Sequence, residues 1–96
     1  MAKLSKKESN GTSFHDVIIK TTVNELIDKL GEPQYYENDG SDKVNVEFIC
    51  ETDGGDSFTI YDWEEYSILD NDKTHNFHIG TLDKNISISA KRELGF

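Results

Sequence analysis

The sequence predicts an α+β fold: a small antiparallel sheet with helices packed on one face, in the order β-α-β-β-β-α. Three observations predict it. Residues 22–33 carry helix start and stop signals around a short apolar stripe. Residues 44–51 and 57–61 alternate apolar and polar side chains on either side of a glycine turn. The chain has 96 residues, 34% hydrophobic and 30% charged, which is one domain's worth of core.

The lysine-rich start, MAKLSKKESNGT, reads as a flexible polar tail over residues 1–12, ahead of a single domain over 13–96. The first strand is SFHDVIIK, residues 13–20, rich in β-branched side chains. Phe14, Val17, Ile18 and Ile19 do not alternate cleanly, so its facing stays open. The helix follows over 23–30. Thr22 and Glu25 form a capping box, in which each side chain can satisfy a backbone donor. Val23, Leu26, Ile27 and Leu30 fall at i, i+3, i+4 and i+7 and line one face. Gly31 permits a left-handed stop, and Pro33 blocks continuation.

After a polar loop over 34–43, VNVEFICE (44–51) places Val44, Val46, Phe48 and Cys50 on one face. TDGGD supplies the reversal, and SFTIY returns. Pairing Glu51 with Ser57 sets Cys50 opposite Phe58, Phe48 opposite Ile60, and Tyr61 opposite Glu47 on the outer face. The same register puts Asp62 opposite Val46 on the buried face, where a bare carboxylate is costly. The strand is therefore expected to end or bulge at Tyr61–Asp62, with Trp63 turned in and the acids turned out. Residues 63–74 then connect, anchored by Trp63, Tyr66, Ile68 and Leu69. HNFHIG (75–80) resumes as a strand that Gly80 ends. The segment over 83–94 fits a strand through Ile86, Ile88 and Ala90. It also fits a helix through Ile86, Ala90 and Leu94, capped by Asp83 or Asn85; its Ala, Lys, Arg and Leu favour helix.

Net charge is −9 and is unevenly spread. Between Glu32 and Asp72 stand thirteen carboxylates and a single lysine, Lys43, a net of −12 over 41 residues. Such a field repels nucleic acid and anionic lipid and attracts basic protein surfaces. The single cysteine, Cys50, excludes an internal disulfide and reads as a buried thiol. No leader and no apolar run of roughly 18 residues is visible, which points to a cytoplasmic protein.

Catalytic and metal-binding patterns do not stand up to simpler explanations. His75 and His78 have H-x-x-H spacing, but on a strand they point to opposite faces. Asp70, Asp72, Thr74 and Asn76 faintly resemble a calcium loop without its glycine or its closing glutamate, and a solvated turn explains them as well. No nucleophile elbow and no phosphate-cradling glycine run is present. No catalytic residue, cofactor or metal is assigned, and the chain is not expected to be an enzyme. Tyr35, Tyr36, Tyr61, Trp63 and Tyr66 all lie within the acidic region. Core packing is one reading for them. The other is an interface, because Tyr and Trp give rigid amphipathic anchor area.

FTIYDWEEY (58–66) followed by FHIG (77–80) resembles a motif pair, TIYDWKEY with WHIGG, of short proteins encoded by bacteriophages and other large DNA viruses. The helix ending ELIDKLGEP is similar as well, so the resemblance covers about residues 14–94. Glu64 stands here for the usual lysine, Phe77 for tryptophan and Thr81 for the second glycine. No functional residue transfers. The resemblance implies an accessory protein of the host cytoplasm that disables a host enzyme or defence factor, with DNA-charge mimicry as one route.

Three function classes follow. The first is a non-enzymatic acidic protein-binding module that inhibits a basic or nucleic-acid-binding protein. Its face would comprise Glu47, Glu51, Asp53, Asp56, Asp62, Glu64 and Glu65, with Tyr61 and Tyr66 as anchors. Such a module binds no nucleic acid directly and no membrane. The second is a small-ligand or nucleotide-binding protein, a homo-oligomer in one form, with Tyr61, Trp63, His78 and lysines of either terminus around a pocket. The third is an enzyme, which needs convergent titratable groups.

Overall fold

The computed structural model describes residues 1–6, 11–37, 44–63 and 69–96. In chain order the elements are β1 (Lys3–Leu4), β2 (Ser13–Thr21), α1 (Val23–Leu30), β3 (Tyr35–Tyr36), β4 (Val46–Glu51), β5 (Ser57–Tyr61), β6 (His75–Thr81) and α2 (Lys84–Glu93). The strands form one antiparallel sheet in the order β1-β4-β5-β6-β2, with β3 also on β4. The α+β class holds, and two dipeptide strands join the predicted order. Among the described residues no helix is long and apolar enough to cross a membrane.

The hairpin adopts the register read from its alternation: Glu51 opposite Ser57, Cys50 opposite Phe58, Phe48 opposite Ile60 and Glu47 opposite Tyr61. Phe48, Phe58, Ile60, Phe77, Ile79 and Cys50 are fully buried on the inner face. Val23 and Leu26 of α1 and Ala90 of α2, with Leu94 just beyond it, close that core from one side. Both helices start on side-chain caps. Thr22 Oγ1 accepts from Glu25 N at 3.0 Å, and Asp83 Oδ1 accepts from Ile86 N at 3.0 Å. The second half of the capping box is replaced: Glu25 Oε2 accepts from the Thr21 hydroxyl at 2.9 Å. The Asp83 cap, together with a buried hydroxyl contact of 2.6 Å between Thr81 and Ser87, decides for helix in the C-terminal segment.

Four expectations are corrected. The start of the chain is not all tail: Lys3 and Leu4 pair with Glu51 and Cys50, and Ala2 and Ser5 are buried. Tyr35 and Tyr36, expected in a loop, pair with Glu47 and Val46. β1 and β3 thus lie end to end along one edge of β4, and Gln34 joins them. Its side-chain amide accepts from Ile49 N at 2.8 Å and donates to Ile49 O at 2.8 Å and Ser5 O at 3.1 Å. A side chain thereby continues the ladder where backbone is missing. Gly80 does not end β6, which runs to Thr81.

The fourth correction concerns the end of β5. The strand stops at Tyr61 as expected, but Asp62 is the residue turned in, at 0% exposure, and Trp63 is turned out, at 43%. The carboxylate is buried with its hydrogen bonds made. Oδ1 accepts from Asn45 N at 2.8 Å and Val46 N at 2.9 Å, and Oδ2 accepts from Asn45 Nδ2 at 2.9 Å. The desolvation that argued against this position is offset by three donors. Leu69 is buried as expected, whereas Tyr66 and Ile68 lie outside the described residues.

Strand β2 explains its own irregular pattern. Phe14 pairs with Gly80, and Ile18 pairs with His78, so two extra residues bulge between them. Asp16 sits there at φ 64°, a left-handed conformation that Asp tolerates better than most residues. Beyond the bulge Val17 and Ile19 point in and Ile18 points out.

Two stability outcomes follow. Asp62→Ala leaves three buried donors unmet and should cost about 3–5 kcal/mol; Asp62→Asn, which keeps one acceptor, should cost about 1–3 kcal/mol. Urea unfolding checks this, and an alanine variant within about 0.5 kcal/mol of the parent would sink the assignment. Burial pushes the Cys50 thiol up to about 12. At pH 8 only about one thiol in ten thousand is then ionised, so iodoacetamide should label the native chain far more slowly than the urea-unfolded one. Equal labelling rates would contradict this burial.

Candidate functional site

With α1 and α2 on the inner face, the outer face of the sheet has no helix over it among the described residues. Its centre is aromatic. Tyr61 stands cross-strand from Glu47 on one side and from His78 on the other. The Tyr61 and His78 rings meet edge to face with centroids 5.6 Å apart. Phe14 stacks on His78 at 3.9 Å and 13°. Trp63, two residues beyond Tyr61 and on the same face, lies edge-on to Tyr61 at 6.2 Å and near-parallel to His78 at 6.5 Å and 25°. Phe14 at 37% and Trp63 at 43% remain exposed, although apolar enough to be core.

Backbone features assemble this cluster. The bulge in β2 brings Phe14 opposite Gly80, next to His78. Gly80 makes room: a methyl group there would sit 2.6 Å from Thr59 Oγ1 and 3.4 Å from the Tyr61 ring. The inward turn of Asp62 sends Trp63 out beside Tyr61, by the two-residue period of an extended chain.

The electrostatics are set by partial burial. Glu47 is half-buried, and desolvation holds its carboxyl above the ordinary 4.5. Among the described residues it has no hydrogen-bond or ion partner for its side chain. Burial, and then the Glu47 charge, push the Tyr61 phenol up. Burial lowers His78, which favours its neutral ring.

Of the nine residues expected on one acidic face, the six described ones are dispersed. Glu47 and Tyr61 belong to the cluster. Glu51, Asp53 and Asp56 lie toward the hairpin turn, about four residues or ~13 Å along the strands. Glu51 approaches Lys3 Nζ at 3.4 Å, and Asp53 accepts from the Met1 amino group at 2.6 Å. Asp62 is in the core and is no contact residue. Glu64, Glu65 and Tyr66 lie outside the described residues. The ring set named for a ligand site, Tyr61, Trp63 and His78, does come together, with Phe14 added. The C-terminal cations named with it do not: Lys84, Lys91 and Arg92 belong to α2, across the sheet. Phe14 was missed because its pairing depends on the bulge, for which the broken alternation of residues 14–19 was the only signal.

The histidine and aspartate patterns have structural partners. His75 faces the side opposite His78, and its Nε2 lies 3.0 Å from Asp70 O. Asp70 Oδ1 accepts from Asp72 N at 2.9 Å, and the Asp72 carboxylate accepts from Asn24 Nδ2. Among the described residues no group of three or more His, Cys, Asp or Glu side chains could hold a metal ion. No family model, no curated protein and no solved structure matches this chain.

The raised Glu47 carboxyl has a signed consequence. Folding penalises its charged form, so the penalty is absent well below pH 4.5 and grows as pH rises above it. Glu47→Gln should therefore be more stable than the parent at pH 7, with the two converging as pH falls below 4.5. Urea midpoints at pH 4 and pH 7 measure this; a variant less stable at pH 7 would mean that Glu47 makes a compensating contact.

Proposed function

We propose that this chain is a non-enzymatic protein-binding module that holds a basic partner on the uncovered face of its sheet. One observation carries the reading: Phe14, Tyr61, Trp63 and His78 form an exposed ring cluster beside the half-buried Glu47. Aromatic side chains give large contact area at small entropic loss, and they dominate interface centres. The net charge of −9 adds long-range attraction for a basic surface and repulsion of nucleic acid. Inhibition of a basic or nucleic-acid-binding host protein is the role that the viral motif resemblance adds to this reading.

The gathering of Tyr61, Trp63 and His78 also favours a second reading, a flat small ligand stacked on the rings. The net negative charge and the position of the α2 cations count against a phosphorylated ligand.

Two measurements separate these. On the binding-module reading, a basic protein retained by the immobilised chain is released as salt rises and is not retained by Trp63→Ala or Tyr61→Ala. Exposed charges are screened over about 8–10 Å near physiological ionic strength. Retention that ignores both salt and the ring substitutions would defeat the proposal. Thermal-shift titration with nucleotides tests the other reading; a nucleotide at 100 times its Kd stabilises by about 2.7 kcal/mol, and such a shift would favour a ligand site.

A further inference from the structure

We infer that Glu47 and the rings of Tyr61, Trp63 and His78 form a receptor for the guanidinium group of an arginine side chain on the partner. The inference rests on the binding-module reading and names the group that the module grips.

Glu47 is the carboxylate to explain. It stands in β4, cross-strand from Tyr35 of β3 on one side and Tyr61 of β5 on the other, and is only partly accessible. No described cation neutralises it: Lys3 is engaged by Glu51, and the charges of α2 lie on the other face. A carboxylate held partly out of water without a counter-ion raises the free energy of the isolated fold. An incoming cation relieves that penalty, so the complex gains what the free protein lacks.

The rings decide which cation. Tyr61, Trp63 and His78 lie within 5.6–6.5 Å of one another, centroid to centroid, and Tyr61 links them to this carboxylate as its cross-strand neighbour. Aromatic faces attract cations electrostatically, most strongly at Trp. Burial disfavours the charged form of His78, which lessens its repulsion of a cation. A guanidinium is planar, is weakly hydrated, stacks on rings and presents paired N–H donors to a carboxylate. An ammonium is a compact, strongly hydrated point charge that uses the rings less well. Among the described residues no helix packs on this face, and Trp63 is 43% exposed.

The test uses the full chain and blocked tripeptides, Gly-Arg-Gly, Gly-Lys-Gly and Gly-citrulline-Gly. Trp63 is the chain's sole tryptophan, so its fluorescence reports binding from within the site. Amide shifts in a nitrogen-15 correlation spectrum locate the contact. The arginine peptide should bind with its shifts centred on residues 47, 61, 63 and 78. Citrulline, the neutral analogue, should bind at least about tenfold more weakly, and Glu47→Gln should weaken the arginine peptide by about tenfold, the loss of one charge-assisted contact. The same spectrum shows that the variant is folded. Equal binding of citrulline and arginine, equal binding by Glu47→Gln and the parent, lysine binding as tightly as arginine, or shifts centred on Asp53 and Asp56 would each overturn the receptor. The two proposals fail separately. A basic protein partner lost with Trp63→Ala but kept by Glu47→Gln removes the guanidinium and leaves the module. A partner indifferent to both substitutions removes both.

Discussion

The sheet depends on a buried carboxylate. Asp62 gives its oxygens to Asn45 N, Val46 N and the Asn45 amide, where β4 begins and β5 has already ended. At that point the backbone ladder of the hairpin has run out, and the N–H groups of Asn45, just before β4, and Val46, its first residue, both point to Asp62. Buried donors must be met. One carboxylate oxygen, Asp62 Oδ1, meets both, and Oδ2 takes the Asn45 amide. Gln34 does the same on the other edge of β4, bridging β1 and β3 through Ile49. Strand β4 is thus satisfied along both edges by a mixture of backbone and side-chain partners.

This constraint reaches the surface through alternation. With Asp62 fixed inward, Tyr61 and Trp63 are fixed outward, next to each other and next to His78. The stretch DWEEY therefore couples fold and site in consecutive residues: one seals the sheet, and the next supplies an exposed ring. Two other irregularities complete the cluster. The bulge at Asp16 sets Phe14 opposite Gly80, and the missing side chain at Gly80 leaves room for the Thr59 hydroxyl on the same face.

Much of the fold was legible because burial and period agree. The hairpin register over residues 47–61, the helix over 23–30 and the inward Phe77 and Ile79 follow from apolar alternation and local caps. The strands β1 and β3 were not legible, since Lys3–Leu4 and Tyr35–Tyr36 are too short to show a period and are held by Gln34 from a distance. Asp62 and Trp63 were assigned the reverse way round. A solvation argument ranks a tryptophan above a carboxylate for burial, and it holds until specific donors are counted. Those donors, Asn45 N and Val46 N, were visible in the sequence only as the start of the opposing strand. The candidate cluster was half legible: Tyr61, Trp63 and His78 were named together, while Phe14 required the bulge.

Charge then acts at two ranges in the proposed module. The net −9 is a diffuse field; it raises encounter rates with basic surfaces and weakens with salt, without specifying geometry. Acids toward the hairpin turn suit that role, and two of them are already partly neutralised, Glu51 by Lys3 and Asp53 by the Met1 amino group. Glu47 is different because it is partly desolvated and unpaired among the described residues. Attraction between charges strengthens as the local dielectric falls, so one such carboxylate beside aromatic rings orients a docking cation more firmly than several solvated acids at a turn. Specificity on this reading belongs to the aromatic centre and its single carboxylate, and the surrounding acidity sets how fast a partner arrives.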